Sequence, residues 1–300
     1  MGPTAAGKTN LAMQLQDRLP LEIVSVDSAM VYRGLDIGTA KPAAAELARA
    51  PHWLIDICDA TENYSAGRFC RDALQAIETI RAGQKIPLLV GGTGLYFRSL
   101  ERGFSTLPST DKATRRRLSG LLSEWGTAGA HARLAKIDAE SARRIHPNDR
   151  QRIQRALEVY EMTGKTLSDL LAAGRHPALA AMPLKFVLAP ADRAVLHQAV
   201  EQRFDTMLAR GLLEEVRGFY ARDDMHADLS SMRLVGYRQV WGHLAGEFPY
   251  EEMRRRAIAA TRQLVKRQLT WLRAEPESLW LEPASTDICD VIAKHIQSRF

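Results

Sequence analysis

A complete phosphate-binding loop stands at the start of this chain and limits the folds that it can adopt. Residues 2–9 match the pattern G-x-x-x-x-G-K-[ST]. The glycines of such a loop let successive backbone N–H groups surround phosphate oxygens at the N-terminus of the next helix. Leu11, Leu15 and Leu19 continue with a helical period, so a helix is expected directly after the loop. The motif therefore predicts an α/β fold with a parallel sheet.

The loop suggests roles for two polar residues, and its position raises a question about the sheet. Lys8 is expected to reach the outer phosphate, and Thr9 to offer its hydroxyl to Mg²⁺. A buried apolar strand normally precedes a loop of this kind, but only Met1 stands before Gly2. We therefore expect the first sheet strand to be missing from this chain, which puts the support of the loop in question.

The composition is that of a globular protein and excludes several classes. The 300 residues are 46% hydrophobic, which suits one large domain with an insertion, or two domains. No apolar run approaches the roughly 18 residues of a membrane span, and no charged-then-apolar leader is present. The three cysteines lack C-x-x-C spacing, which argues against structural zinc and disulfides and fits a reducing cytoplasm. We expect a cytoplasmic monomer without membrane association.

Hydrophobic periodicity divides the chain into a sheet-bearing core and a helical insertion. Short β-rich runs at 22–26 and 85–90 flank an amphipathic helix at 65–82, an order typical of α/β proteins. Charged, Ala-rich helical patterns then follow until the run 184–188 returns the chain to the sheet. We predict a P-loop α/β core formed by 1–106 and 183–300, interrupted by a helical insertion domain at 107–182.

Two clusters of positive charge stand out against a modest net charge of +6. Residues 143–155 include five arginines and one acid, and residues 262–273 include four basic residues and no acid. The second cluster lies in a long helix predicted at 250–273, where its basic residues flank an apolar stripe. Both clusters suit a polyanionic partner, but solvated helix faces explain them equally well.

Two strand ends carry the residues expected to face the loop. Ligands of open α/β sheets bind beyond the carboxyl ends of the strands, where Asp27 and Thr93 stand. Asp27 suits a metal ligand or a general base equally well, and either residue could instead cap a turn or a helix. No strand ends in the acidic pair of an ATPase, which disfavours ATP hydrolysis. A nucleoside or nucleotide kinase remains an alternative, with Arg115, Arg116 and Arg117 in a helical lid.

A series of ordered blocks extends well beyond the loop. They are 25–28 (SVDS), 32–42 (YRGLDIGTAKP), 90–96 (VGGTGLY), 146–149 (HPND), 155–158 (RALE), 235–238 (VGYR) and 261–273 (TRQLVKRQLTWLR). With these blocks the chain resembles the tRNA dimethylallyltransferases, also called tRNA isopentenyltransferases, of the IPP transferase family. The resemblance covers nearly the whole chain and is far more specific than the phosphate loop alone.

The resemblance implies an activity and a catalytic site. The activity is transfer of a dimethylallyl group from dimethylallyl diphosphate to the N6 amine of adenosine at tRNA position 37, next to the anticodon. Asp27 is then the base, Thr93 a second catalytic group and Arg115 a diphosphate clamp. Mg²⁺ bound by Thr9 assists, and no ATP is required. The diphosphate is expected on Gly2, Pro3, Thr4, Ala5, Ala6, Gly7, Lys8 and Thr9.

The resemblance also implies a surface for the tRNA anticodon stem-loop. Four segments of this chain match the RNA-contacting blocks of the family, and they overlap both basic clusters, which favours RNA binding over solvated faces. They contain Asp27, Ser28, Ala29 and Met30; Gln151, Arg152, Ile153, Gln154 and Arg155; Arg233, Leu234, Val235, Gly236, Tyr237 and Arg238; and Lys266, Arg267, Gln268, Leu269, Thr270, Trp271, Leu272 and Arg273.

Overall fold

A computed structural model describes residues 1–103, 112–172, 179 and 182–298. In these ranges five strands form two parallel sheets. The first sheet has the order β2-β1-β3, and β4 pairs with β5 in the second. The strands are β1 (Leu21–Val26), β2 (His52–Trp53), β3 (Ile86–Gly91), β4 (Lys185–Leu188) and β5 (Ser278–Leu281). The expectation of an α/β fold with a parallel sheet is confirmed.

Thirteen helices make up most of the rest of the described chain. Those before the insertion are α1 (Lys8–Gln16), α2 (Ala44–Arg49), α3 (Ala66–Ala82) and α4 (Gly94–Arg102). Next come α5 (Lys112–Ile137), which is kinked at Gly126, α6 (Ala139–Arg144), α7 (Arg150–Thr163) and α8 (Leu167–Ala172). The last are α9 (Arg193–Ala209), α10 (Leu212–Tyr220), α11 (Tyr237–Leu244), α12 (Tyr250–Leu272) and α13 (Ile288–Gln297).

The elements predicted from periodicity begin and end close to the expected residues. The helix predicted at 65–82 is α3, and Ser65 caps it by accepting the N–H of Arg68 at 3.2 Å. The long helix predicted at 250–273 is α12, and the run 184–188 is β4. The positions of these elements are confirmed because each segment has one clear apolar face or a short apolar run with turn residues on both sides. The expectation that the run 184–188 returns to the first sheet is wrong, since β4 pairs with β5 in the second sheet.

The chain divides into two compact units, 1–99 with 181–300, and 100–180. Apolar side chains of α1, the sheets and α13 form one core of the first unit, with Leu15, Leu21, Leu188 and Ile292 at its centre. The second unit has its own core between α5 and α7, built around Leu122 and Ile153, which are both fully buried.

The backbone before the phosphate loop pairs with the second sheet. The Met1 nitrogen donates to the carbonyl of Phe186 at 2.7 Å, and the Leu188 N–H donates to the carbonyl of Met1 at 2.9 Å. Gly2 packs so closely on the Leu188 carbonyl that a Cβ there would lie 2.3 Å from its oxygen. The loop therefore starts at the carboxyl end of β4, although β1, the first strand in the chain, follows α1.

Candidate active site

The phosphate loop has the backbone geometry of an anion site. Ala5 and Gly7 have φ angles of 64° and 81°, in the left-handed region, and α1 begins at Lys8 directly after them. Left-handed residues within such a loop turn successive N–H groups toward one concave side, where an anion binds at the N-terminus of the helix. Ala5 accepts a conformation that is unfavourable for a residue with a Cβ, which is typical of functional loops.

Lys8 is partly buried and lies across the loop. Its Nζ donates to the carbonyl of Pro3 at 2.6 Å. Burial lowers the pKa of Lys8 to about 8, while the Asp27 carboxylate opposes this change and Arg203 adds to it. Asp27 is therefore close enough to Lys8 for their charges to interact, as the position of both residues at the carboxyl edge of the sheet predicts.

Asp27 and Thr93 lie beside each other at the ends of neighbouring strands. One carboxylate oxygen of Asp27, which follows β1, accepts the N–H of Ala29 at 2.8 Å. Thr93, which follows β3, accepts the N–H of Ser28 on its hydroxyl at 3.1 Å and donates its own N–H to the carbonyl of Val26 at 3.3 Å. The structure thus brings both predicted residues to one edge of the first sheet; their catalytic roles stay predictions.

Arg203 of α9 is a site residue that the sequence analysis missed. Its guanidinium donates to the carbonyl of Thr39 at 3.2 Å. Burial lowers the pKa of Arg203, and the Asp27 carboxylate opposes this change. A signal was available, because Arg203 occupies a place in the apolar stripe of α9 between Val200 and Met207, which are both buried. An arginine in such a stripe needs an anionic or polar partner.

Gln268 of α12 ties the phosphate loop to the loop after β3. Its Oε1 accepts the N–H of Thr4 at 2.8 Å, and its Nε2 donates to the carbonyl of Gly92 at 3.1 Å. A Cβ on Gly92 would lie 2.4 Å from that Nε2. One turn later, the indole of Trp271 would lie 2.7 Å from a Cβ on Gly94. These close approaches explain why the segment 91–94 is rich in glycine.

The partly buried carboxylate of Glu215 holds the segment 36–38, which belongs to one of the sequence blocks. Glu215 of α10 accepts the N–H groups of Asp36, Ile37 and Gly38 at 2.9, 2.7 and 3.2 Å. The hydroxyl of Tyr237 donates to the same carboxylate. The blocks at 32–42 and 235–238 therefore meet through one glutamate, and Tyr237 is fully buried in this contact.

Burial divides the segments predicted to bind tRNA in the first unit. In α12 and at its end, Lys266, Arg267, Thr270 and Arg273 are exposed, whereas Gln268, Leu269 and Leu272 are buried. Arg233 and Arg238 are exposed on either side of the buried Gly236 and Tyr237. The buried members are closed to side-chain contacts with RNA, whereas the exposed members are open to them. Arg262, from the same basic cluster, pairs instead with Glu201 of α9 at 3.0 Å.

In the second unit, the buried Glu158 contacts Arg115, the predicted diphosphate clamp, and two residues of the predicted tRNA-binding segment in α7. The Glu158 side chain is 2% exposed, and its oxygens lie 3.4 Å from Arg115 Nε and 3.6 Å from Arg155. Gln154 donates to Glu158 at 3.0 Å. Gln151 and Arg152 are exposed, whereas Ile153 is fully buried in the core. The roles assigned to these residues stay predictions.

The described residues contain neither a ready-made metal cluster nor a membrane-crossing helix. Within them no group of three or more His, Cys, Asp or Glu side chains could hold a metal ion. Among the helices that the structure describes, none has the length and apolar character to cross a membrane.

The chain is similar to known proteins over most of its length. The family model of IPP transferase matches residues 30–275. The tRNA dimethylallyltransferase of Coxiella burnetii is 54% identical over 297 residues, which cover 99% of each chain. That of Alkalilimnicola ehrlichii is 56% identical over 285 residues, covering 94% of this chain and 89% of the relative.

Solved structures of similar proteins match over nearly all of this chain. The tRNA isopentenylpyrophosphate transferase of Bacillus halodurans is 34% identical, with a TM-score of 0.72 over 99% of this chain and 95% of that one. A eukaryotic dimethylallyltransferase acting on tRNA is 28% identical, with a TM-score of 0.81 over 99% of this chain and 76% of that one. The chain described here belongs to the IPP transferase family.

Proposed function

We propose that this chain transfers a dimethylallyl group from dimethylallyl diphosphate to the N6 amine of the adenosine next to a tRNA anticodon. The observation that carries the proposal is the match to tRNA dimethylallyltransferases over 99% of the chain. The phosphate loop, Asp27 and Thr93, which share one edge of the fold, supply groups suited to that reaction.

The phosphate loop suits the leaving group. When the C–O bond of the allylic diphosphate breaks, its electron pair stays on oxygen, and negative charge grows on the diphosphate. Burial lowers the pKa of both Lys8 and Arg203, so both cations are poorly solvated and gain from an anion placed beside them. Together with the N-terminus of α1 they can stabilise the departing charge.

Asp27 suits the base. As the new bond forms between the allylic carbon and N6, the nitrogen becomes positively charged and must lose a proton. One oxygen of the Asp27 carboxylate is held by the N–H of Ala29, which orients the other for the incoming amine. Proton transfer to a positioned carboxylate contributes a factor on the order of 10²–10⁴ in rate.

Thr9 is the residue that fits Mg²⁺. Mg²⁺ keeps several waters and binds to few protein groups together with substrate phosphates. A Mg²⁺ site therefore does not need a cluster of three side-chain ligands, and the described residues contain none. Thr9 follows Lys8 in the first turn of α1, at the helix N-terminus where a phosphate is expected to bind. When bound, Mg²⁺ neutralises part of the charge on the diphosphate.

The exposed cations suit tRNA. Adenine must leave the anticodon-loop stack before its N6 amine can reach a base inside the protein, which costs a few kcal/mol. Phosphate contacts from Lys266, Arg267 and Arg273, all exposed, can offset this cost. Arg233 and Arg238, also exposed, are further candidates for these contacts.

The test is a prenylation assay with tRNA, dimethylallyl diphosphate and Mg²⁺, followed by digestion and mass spectrometry of the nucleosides. We expect dimethylallyladenosine from tRNA and none from free adenosine monophosphate. Asp27→Asn should abolish turnover, whereas Asp17→Asn, on the exposed end of α1, should not change it. Phosphorylation of a nucleoside by ATP without prenylation of tRNA would instead establish the kinase alternative, which the named relatives do not favour.

A further inference from the structure

The side chain of Gln268 faces the phosphate site, in contrast to its neighbours on α12. Gln268 is 8% exposed and uses both ends of its amide within the protein, accepting from Thr4 and donating to Gly92. The residues that flank it, Lys266, Arg267 and Thr270, are exposed. One turn of α12 therefore presents cations to the solvent and an amide to the phosphate loop.

The two bonds of Gln268 fix the positions of two loops relative to each other. Thr4 belongs to the phosphate loop, and Gly92 directly precedes Thr93. The Gly92 Cα approaches the amide so closely that no side chain fits between them. Because the Thr4 N–H already donates to Gln268 at 2.8 Å, it is not free for a phosphate oxygen.

We infer that Gln268 is a positioning residue for the diphosphate and not a contact of the tRNA, although the segment 266–273 as a whole resembles an RNA-binding block. The inference rests on the proposed function of the site. Gln268 holds the phosphate loop and the Gly92–Thr93 segment at the separation that the bound diphosphate requires. Without it, the remaining N–H groups of the loop and the Thr93 hydroxyl lose their fixed arrangement, although none of them is removed.

A glutamine suits this role for a simple chemical reason. Thr4 offers a donor and Gly92 an acceptor, and only a side-chain amide of this length supplies the complementary acceptor and donor together. Methionine has a similar length but makes neither bond. An ionised glutamate can accept from Thr4, but it leaves the Gly92 carbonyl unpaired and places a negative charge beside the anion site.

Binding measured without turnover separates the two roles. Titration calorimetry with inorganic diphosphate and Mg²⁺ should show about tenfold weaker binding by Gln268→Met, since this variant lacks the two buried hydrogen bonds that order the loop. Affinity for unmodified tRNA in the absence of diphosphate should stay within about twofold. Gln268→Glu should bind diphosphate more weakly still. In the assay, both variants should raise the KM for dimethylallyl diphosphate and leave the KM for tRNA unchanged.

Matched controls come from the same helix. Gln263→Met makes the same substitution at an exposed position of α12 and should change neither affinity. Lys266→Ala with Arg273→Ala should give the reverse result, weaker tRNA binding with unchanged diphosphate binding. Thermal unfolding of each variant identifies any variant that fails to fold. If a Gln268 variant fails to fold, Gln268→Asn, which keeps the amide on a shorter side chain, is tested in its place.

The outcomes distinguish the inference from the function on which it rests. If the unaltered protein binds no diphosphate, the proposed function fails. If the unaltered protein binds diphosphate, either of two results overturns the inference alone. One is that both Gln268 variants bind diphosphate as tightly as the unaltered protein does. The other is that the variants bind tRNA more weakly but diphosphate as tightly as before.

Discussion

At the scale of single residues, the site is defined by two poorly solvated cations around one carboxylate. Lys8 and Arg203 both interact with Asp27, and burial lowers the pKa of each. One carboxylate cannot compensate two cations, so the site carries an excess of positive charge. An anion that enters it recovers electrostatic energy that the free protein lacks. This excess supports the proposal that the loop binds a diphosphate.

The pKa of Lys8 leads to a proton-uptake prediction. With a pKa of about 8 in the free protein, Lys8 is charged at pH 6 and only half charged at pH 8. A bound diphosphate favours the ammonium form and raises this pKa, so binding at pH 8 takes up about half a proton. Calorimetry in buffers of different ionisation enthalpy measures the uptake.

Lys8→Arg is the control for proton uptake, because arginine stays charged at both pH values and the protons of the ligand itself cancel in the comparison. The excess uptake of the unaltered protein over Lys8→Arg should be about half a proton at pH 8 and close to zero at pH 6. Equal uptake by the two proteins at pH 8 would mean that Lys8 is already fully charged before the ligand binds.

Arg203 should contribute to diphosphate binding independently of Lys8. We expect Arg203→Met to weaken the binding of inorganic diphosphate by about tenfold or more, since methionine cannot make a charge-assisted hydrogen bond to the anion in this partly buried site. Binding of tRNA alone should not change. Arg210→Met, at the exposed end of α9, is the matched control. If the two variants bind diphosphate with equal affinity, Arg203 does not contribute to the diphosphate site.

At the scale of elements, α12 has a buried side and an exposed side, and we propose a different role for each. Its inner side holds the phosphate loop through Gln268 and the start of α4 through Trp271, whose ring stacks on Phe97 with centroids 6.0 Å apart. Its outer side exposes Lys266, Arg267 and Thr270. The apolar stripe between the two sides packs into the core, so the helix holds Gln268 and the exposed cations at fixed positions relative to each other.

The outer side of α12 should bind tRNA phosphates in a salt-dependent manner. Lys266→Ala combined with Arg273→Ala should lower tRNA affinity and reduce the slope of log K against log salt by about 1 for each phosphate that the variant no longer neutralises. Arg255→Ala with Arg256→Ala removes the same charge from the first half of the helix, where both arginines pair with Glu252. If this control pair lowers affinity and slope equally, the effect is one of net charge and not of a local surface.

Glu158 should stabilise the second unit. The Glu158 side chain is 2% exposed and joins α5 to α7 through Arg115, so Glu158→Leu should lower the free energy of unfolding by about 1–3 kcal/mol. Glu161→Leu is the control, because its pair with Arg117 is more exposed and is expected to contribute less than about 1 kcal/mol. Thermal or urea unfolding measures both changes. Equal losses of unfolding free energy in the two variants would contradict a particular contribution of Glu158 to the stability of the second unit.

At the scale of the whole molecule, the sequence predicted what depends on local patterns. Apolar runs and helical periods located the main strands and helices, and the phosphate loop located the edge of the sheet at which Asp27 and Thr93 meet. The two-residue strand β2 was missed because it is too short to show a period. The inward role of Gln268 was missed because its partner Thr4 lies 264 residues away, and such a pairing leaves no local signal. Arg203 left a local signal, its place in the apolar stripe of α9, but its partner Thr39 lies 164 residues away and no local pattern identifies it.

The proposed function requires that one particular adenosine of tRNA receives a dimethylallyl group from dimethylallyl diphosphate. The most direct test maps the modified base by mass spectrometry of nuclease fragments from a tRNA anticodon stem-loop, incubated with this protein, dimethylallyl diphosphate and Mg²⁺. We predict a mass increase of one C₅H₈ unit on the adenosine just 3′ of the anticodon, and no increase when guanosine replaces that adenosine. Dimethylallylation of another adenosine in the guanosine-substituted RNA would contradict this function, as would the absence of any dimethylallylated adenosine in the unaltered RNA.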